Sequence, residues 1–328
     1  MLKHSFSSKS LNSINSIIKL GSIGYGEKVE EFEKIFRLLS NKKYNIATNS
    51  ASAAAFMIFA YLKEKHGKCD VYVPSLTFNS PVWAAKHHGH QIVFVDINDE
   101  LQFDYSDYLR KLIQRNSKHH PVVMPTLYGG VSTIDWDSNF FSEMIPSQTV
   151  VIDAAHCPHP TIKGDYYFTS FHPTKPICSS DGGMIFTNDK EASDYFYSYR
   201  NFGRENISNG YNITQNGFKF YMNNLNATIA LESLKNYKDN LEIRLKNHNK
   251  ILFKFKGRFL QHDEHSSYYF TTLITDEAEE INKKYNLSKH YPLLHKTSYY
   301  EDCSLLNTER LHPKIVNLPL YDINIYNS

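Results

Sequence analysis

The chain has 328 residues, enough for a large core and two domains. Its 36 Lys and Arg face 34 Asp and Glu, and a formal net charge of +2 leaves no basic surface of the kind that nucleic acids require. No apolar run approaches the roughly 20 residues of a membrane span. The opening Met1-Leu2-Lys3-His4-Ser5-Phe6 lacks the apolar core of a signal peptide. Cys69, Cys157, Cys178 and Cys303 form neither a CxxC pair nor a regular framework, so a reducing cytoplasm is the expected compartment.

In chain order, Tyr44-Asn45-Ile46-Ala47-Thr48 reads as a strand, followed by a helix over 52–65 that Gly67 stops. Val71-Tyr72-Val73 is the next strand, closed by Pro74, and a helix over 81–88 leads into Gln91-Ile92-Val93-Phe94-Val95. Further strands are predicted over 122–124, 149–152, 166–171 and 184–187, seven in all. Strands alternating with helices imply an α/β fold with a mostly parallel seven-stranded sheet covered on both faces. Ligands of such sheets bind beyond the carboxyl ends of the strands. Asn49-Ser50, Pro74-Ser75, Pro125-Thr126, Asp153 and Ser170 all fall at such ends, so five segments point at one rim.

The segment 204–215, rich in Asn, Gly and Ser, reads as a mobile loop. After about residue 235 the pattern changes. A helix over 241–255, a strand over 268–273, a helix over 277–285 and an extended piece before Pro292 suggest a smaller α+β C-terminal domain. The expected organisation is an N-terminal arm over 1–20, a large domain over 21–235 and a small domain over 236–328.

Lys175 carries the chemical reading. It lies in Ser170-Phe171-His172-Pro173-Thr174-Lys175-Pro176, and Pro176 keeps it out of helical backbone angles, so its side chain projects from a rigid loop. Twenty-two positions earlier an apolar strand ends in Asp153. A lysine amine and a buried carboxylate in this arrangement suit pyridoxal phosphate: the lysine attaches to the cofactor aldehyde, and the carboxylate keeps the pyridinium nitrogen protonated. The turn Asn49-Ser50-Ala51-Ser52 either offers helix N–H groups to a phosphate or is an ordinary Ser N-cap. Phe78 either stacks on a flat ring or packs in the core. Ser170 is a second phosphate donor candidate, and His156 either touches the cofactor or caps its turn. Lys86-His87-His88-Gly89-His90 and His156-Cys157-Pro158-His159 invite a metal reading, but His87, His88 and His90 fall at a helix end, where histidines are favourable, and zinc-enzyme signatures and a GxSxG elbow are absent, so no metal is expected.

The ordered set of these segments resembles the DegT-type sugar aminotransferases, fold-type I pyridoxal-phosphate enzymes acting on nucleotide-linked keto sugars. The resemblance begins at Gly24-Tyr25-Gly26-Glu27 and runs through Asn49-Ser50-Ala51-Ser52, Ser75-Leu76-Thr77-Phe78, Pro125-Thr126-Leu127-Tyr128-Gly129, Asp153-Ala154-Ala155-His156, the Lys175 loop and Asp181-Gly182-Gly183. It closes at Leu318-Pro319-Leu320-Tyr321. It implies that Lys175 carries the cofactor, Asp153 pairs with the ring nitrogen, Phe78 stacks on the ring and His156 stands beside it. Ala51, Ser52 and Ser170 would hold the phosphate. Gly217-Phe218-Lys219-Phe220-Tyr221-Met222-Asn223 matches a segment that reaches the neighbouring subunit, so Lys219 would serve the partner's phosphate pocket in a homodimer.

The implied reaction moves an amino group from an amino acid, glutamate by family analogy, through pyridoxamine phosphate to a nucleotide-linked keto-deoxysugar, for amino-sugar and surface polysaccharide biosynthesis. A sugar dehydratase and a non-catalytic regulatory protein are the alternatives on this fold. The dehydratases replace the lysine by histidine. The chain departs from the family pattern in three places. Ala51-Ser52 stands for Gly-Thr, Lys219 and Tyr221 for Asn and Arg, and Asp181 for Glu. An abbreviated small domain is expected after Tyr321.

Overall fold

The computed structural model describes residues 8–132, 148–207, 210–287, 291–321 and 326. Seven strands form one sheet: β1 (Tyr44–Thr48), β2 (Cys69–Pro74), β3 (Gln91–Val95), β4 (His120–Val123), β5 (Thr149–Asp153), β6 (Tyr166–Ser170) and β7 (Gly183–Thr187). Their order is β1-β7-β6-β5-β4-β2-β3. Strands β2 to β6 pair in parallel, and β7 runs antiparallel to both β6 and β1. The seven sequence-predicted strands are these seven, each within a few residues.

The alternation of side chains along each strand builds a core on both faces. Ile46, Val71, Val73, Val151, Phe168 and Ile185 point to one face, under α3 (Ala51–His66) and α4 (Asn79–His87). Ala47, Ile152, Tyr167 and Phe186 point to the other. There they meet Phe32 and Phe36 of α2 (Glu27–Ser40) and Ala227 and Leu231 of a later helix over Asn224–Lys235. Helix α3 is apolar nearly all round, as a helix covered by the sheet and by neighbouring helices must be. Gly67 ends it with φ +71, a left-handed angle that favours glycine, and its N–H reaches back to the Lys63 carbonyl at 2.9 Å.

The residues assigned to an N-terminal arm include a helix, α1 (Ser8–Lys19), lying against the Asn224–Lys235 helix. A helix α5 (Tyr105–Gln114), not foreseen from the sequence, covers β4 through Tyr108, which packs on Tyr72 and Val123. The expected loop over 204–215 is instead a β-hairpin, β8 (Arg204–Ile207) with β9 (Gly210–Ile213).

The C-terminal part forms a second, three-stranded antiparallel sheet, β10 (Arg258–Phe259), β11 (Phe270–Ile274) and β12 (Ile315–Pro319). Its core of Leu273, Val316 and Leu318 is covered by Ile251 of the helix Tyr237–Lys254. Residues 288–290 of the extended piece expected before Pro292 lie outside the described residues. Leu260, Phe270 and Ile315 pack on Leu76 and Tyr128 of the large sheet's rim, so the small sheet sits over the carboxyl ends of the strands. Among the described residues no helix is long and apolar enough to cross a membrane.

Candidate active site

The rim is assembled by register. Ser170 and Thr48 both pair with Gly183, so the ends of β6 and β1 flank the start of β7. The turn after β1 passes over that start. A Cβ on residue 183 would lie 2.5 Å from the Ala51 nitrogen and 2.6 Å from the Ser50 oxygen, so only glycine admits this approach. Ser50 is the N-cap of α3, its Oγ accepting from the Ala53 N–H at 3.1 Å. The phosphate and N-cap readings of this turn are therefore compatible. Ser50 supplies the cap, and the first-turn amides of Ala51 and Ser52 have no intrahelical acceptor. Ser52 is exposed, its Oγ donating to Ser80 Oγ at 2.8 Å. Ser170 is half-buried, and its Oγ accepts from the His172 N–H at 3.3 Å.

Asp153 ends β5 and is buried, with 3% of its surface exposed. The Ala155 N–H donates to its Oδ1 at 3.0 Å, and Thr77 Oγ1 donates weakly to Oδ2 at 3.4 Å. Thr126 donates in turn to Thr77 at 2.8 Å, which orients that hydroxyl. Burial pushes the Asp153 carboxyl up to about 6, against the pull of the Ala155 amide and the Lys175 charge.

Lys175 is fixed by a tight loop. The Lys175 N–H donates to the His172 carbonyl at 2.8 Å, and Phe171 N–H to Gly182 at 2.9 Å. Its ammonium stands 4.2 Å from the centre of the Tyr269 ring. Burial lowers the amine to about 7, with the charge of Asp153 acting in the opposite sense. The two groups sense each other's charge yet form no ion pair within 4 Å, so the amine is not neutralised by contact.

The sequence reading missed two tyrosines here. Tyr269 leads into β11, held by Arg244 Nη1 donating to its carbonyl at 3.1 Å and by its own N–H donating to Gly129 at 3.0 Å. Its hydroxyl and that of Thr174 share a hydrogen bond at 3.1 Å. Tyr291 lies 2.8 Å from His156 Nε2, oxygen to nitrogen. His156 is buried, its ring 4.2 Å from that of Tyr269. Phe78 is 57% exposed, with its ring edge-on to Tyr291 at 6.1 Å, so core packing does not account for it. Lys219 is exposed. It is tied to the phosphate turn only through its backbone, whose carbonyl accepts from Asn49 Nδ2 at 3.2 Å.

His90, one of the histidines considered for metal, serves packing. Its Nδ1 accepts from the Cys69 N–H and its Nε2 lies 3.0 Å from the Phe59 carbonyl. Among the described residues no three His, Cys, Asp or Glu side chains are grouped as metal ligands.

The donor set fits pyridoxal phosphate. It offers a lysine amine lowered to about 7, a buried carboxylate and an exposed aromatic ring. A glycine-gated turn presents helix N–H groups beside them.

The DegT/DnrJ/EryC1/StrS aminotransferase family model matches residues 5–323, and the chain belongs to that family. It is 27% identical to the spore coat polysaccharide biosynthesis protein SpsC of Bacillus subtilis (strain 168), over 95% of this chain and 89% of that one. It is 26% identical to a UDP-4-amino-4,6-dideoxy-N-acetyl-beta-L-altrosamine transaminase of Campylobacter jejuni (strain 81-176), over 92% and 78%. Spr1654 of Streptococcus pneumoniae, solved in PLP and PMP forms, shares the fold. Its PLP form gives a TM-score of 0.84 at 20% identity, over 98% of this chain and 94% of that one.

Proposed function

We propose that this family member transfers an amino group from an amino acid, L-glutamate, to a nucleotide-linked keto-deoxysugar, using pyridoxal 5'-phosphate. The observation that carries the reading is the pair of Lys175 and Asp153, an amine lowered to about 7 and a buried carboxylate at one strand-end rim. The transaminase of Campylobacter jejuni, named for a UDP-linked sugar, supports the nucleotide-linked substrate. The name of SpsC supports a role in polysaccharide biosynthesis. A cytoplasmic location accords with such a substrate.

When bound, the cofactor supplies a ring that withdraws electrons from the reacting carbon. Lys175 Nζ would anchor the group, and its neutral amine would be the base that takes the proton from the α carbon of the donor, the resulting ammonium then being the acid that returns a proton to the cofactor-bound substrate. An amine near pH 7 suits both roles. Asp153 holds the proton on the ring nitrogen, with Thr77 and the Ala155 amide keeping it ionised and oriented. Phe78 would stack on the ring, and His156, hydrogen-bonded to Tyr291, would stand beside it. Ala51, Ser52 and Ser170 bind the phosphate in one protomer. Lys219, exposed on its own chain, completes the pocket of the partner in a homodimer.

The test is a panel of nucleotide-linked keto sugars incubated with nitrogen-15 glutamate and read by mass spectrometry. The reading predicts a labelled amino sugar nucleotide and one equivalent of 2-oxoglutarate. Release of 2-oxoglutarate with no labelled sugar from any member of the panel would refute the acceptor. No release at all would refute the donor.

A further inference from the structure

The small sheet sends a side chain to Lys175. Tyr269, on the segment that leads into β11, has its ring centre 4.2 Å from Lys175 Nζ. Its hydroxyl shares a hydrogen bond with Thr174 Oγ1 at 3.1 Å, and Thr174 Oγ1 in turn meets His172 Nδ1 at 3.0 Å. The same tyrosine therefore touches both the amine and the loop that carries it.

The backbone of Tyr269 is fixed by two other elements. Its N–H donates to the Gly129 carbonyl at 3.0 Å, and the Ser267 N–H donates to that of Gly130 at 2.7 Å. Arg244 Nη1 donates to the carbonyls of Tyr268 and Tyr269 at 3.2 and 3.1 Å. Gly130 has φ +91, and a Cβ there would lie 2.8 Å from the Tyr269 nitrogen, so glycine lets this segment come so close to the rim. Rigid support of this kind aims a side chain at a site.

A lysine amine that takes a proton from carbon becomes an ammonium in a buried place, where charge is costly. A carboxylate in contact would offset that cost but would also hold the proton. Asp153, the charge that acts on Lys175, stands off from it without a hydrogen bond. A ring face attracts the ammonium and accepts no proton. The other titratable groups nearby are His172 on the lysine's own loop, His156, whose ring lies 4.2 Å from that of Tyr269, and Tyr291 and Arg244, which act on Tyr269.

We propose that Tyr269 is a positioning residue of the reaction, its ring face holding the Lys175 ammonium and its hydroxyl fixing the Thr174–Lys175 loop. The inference rests on the reading of Lys175 as the reacting amine, and not on which amino acid or sugar reacts.

The experiment is carbon-13 NMR of the lysine side chains in protein stripped of cofactor, titrated with pH, the Lys175 signal being assigned by its loss in Lys175→Ala. A ring face favours the ammonium, so removing it should lower the titration midpoint of Lys175. Tyr269→Leu should lower it by about 0.5–1.5 pH units, and Tyr269→Phe, which keeps the ring, should leave it within about 0.3 units. Loss of the Thr174 hydrogen bond in Tyr269→Phe should instead slow attachment of pyridoxal phosphate severalfold. Trifluorophenylalanine placed at position 269 keeps the shape and depletes the ring face of negative charge. It should also lower the midpoint, and it decides the matter if Tyr269→Leu does not fold. A tyrosine that only filled space would change the melting temperature and leave the midpoint where it is. An unmoved or raised midpoint in the folded leucine or fluorinated variant would overturn the proposal, even in an enzyme that passes the labelled-glutamate panel. The expected shift in a protein that fails that panel would refute the aminotransferase reading and leave the hold of Tyr269 on the amine standing.

Discussion

The titration of Lys175 offers the sharpest quantitative check on the site. An ordinary lysine has a pKa near 10.5, whereas burial sets Lys175 at about 7. At pH 7 about half of it is therefore neutral amine, against roughly one part in 3000 for an ordinary lysine, a gain of more than a thousandfold in nucleophile. The sign is fixed by the direction of the shift: the amine is neutral above about pH 7 and charged below it. Covalent attachment of pyridoxal phosphate to protein stripped of it should rise with pH, reach half its maximal rate near 7 and then level off. Asp153 raises the Lys175 pKa, so Asp153→Asn should move that half-point to lower pH. The two groups lie beyond 4 Å, where the attraction at an effective dielectric of about 20 is below ~4 kcal/mol, a ceiling of about three pH units. A displacement of about one unit is expected. The assay is stopped-flow absorbance of the attached cofactor across pH 5 to 10 (a range of about five units, set by the two pKa values). A half-point near 10, or an upward move in Asp153→Asn, would refute the assignment of a desolvated lysine opposed by that carboxylate.

Gly183→Ala should drive a Cβ into the Ser50–Ala51 turn, costing about 1–3 kcal/mol of stability and weakening cofactor retention, as thermal melts and cofactor titration would show. Glu33→Gln should cost about 3–5 kcal/mol in urea unfolding, because it strips the buried Arg200 of its charge partner; a loss under about 1 kcal/mol would contradict that role. Lys219→Ala and Lys175→Ala chains should each be poorly active alone. Mixed dimers should recover activity at the site where both native residues meet, and the absence of recovery would count against a shared site.

The fold was legible where burial writes a pattern. Val71, Val73 and Tyr72 alternate between two cores, and Val151 and Ile152 do the same, so the seven strands stand out as short apolar runs ending in polar residues. The hairpin was not legible. Tyr211 and Ile213 are exposed, so no buried face imposes alternation, and Asn206, Gly210 and Asn212 read as turn formers. In the site, Lys175, Asp153 and the Ala51-Ser52 turn are local features of a strand end and could be read directly. Tyr269 and Tyr291 could not be. They reach Thr174 and His156 from 95 and 135 residues away, and in a chain of 23 tyrosines neither stands out. Thr77 differs again, since it was visible within a motif but only folding brings it to Asp153 from 76 residues away.

The central claim is that Lys175 carries the cofactor opposite Asp153. Borohydride reduction of the purified protein with pyridoxal phosphate, followed by proteolysis and mass spectrometry of the peptides, tests it most directly. The account predicts one reduced, cofactor-bearing peptide containing Phe171-His172-Pro173-Thr174-Lys175, and its loss in Lys175→Ala. A label fixed on another lysine, or one that persists in Lys175→Ala, would contradict it.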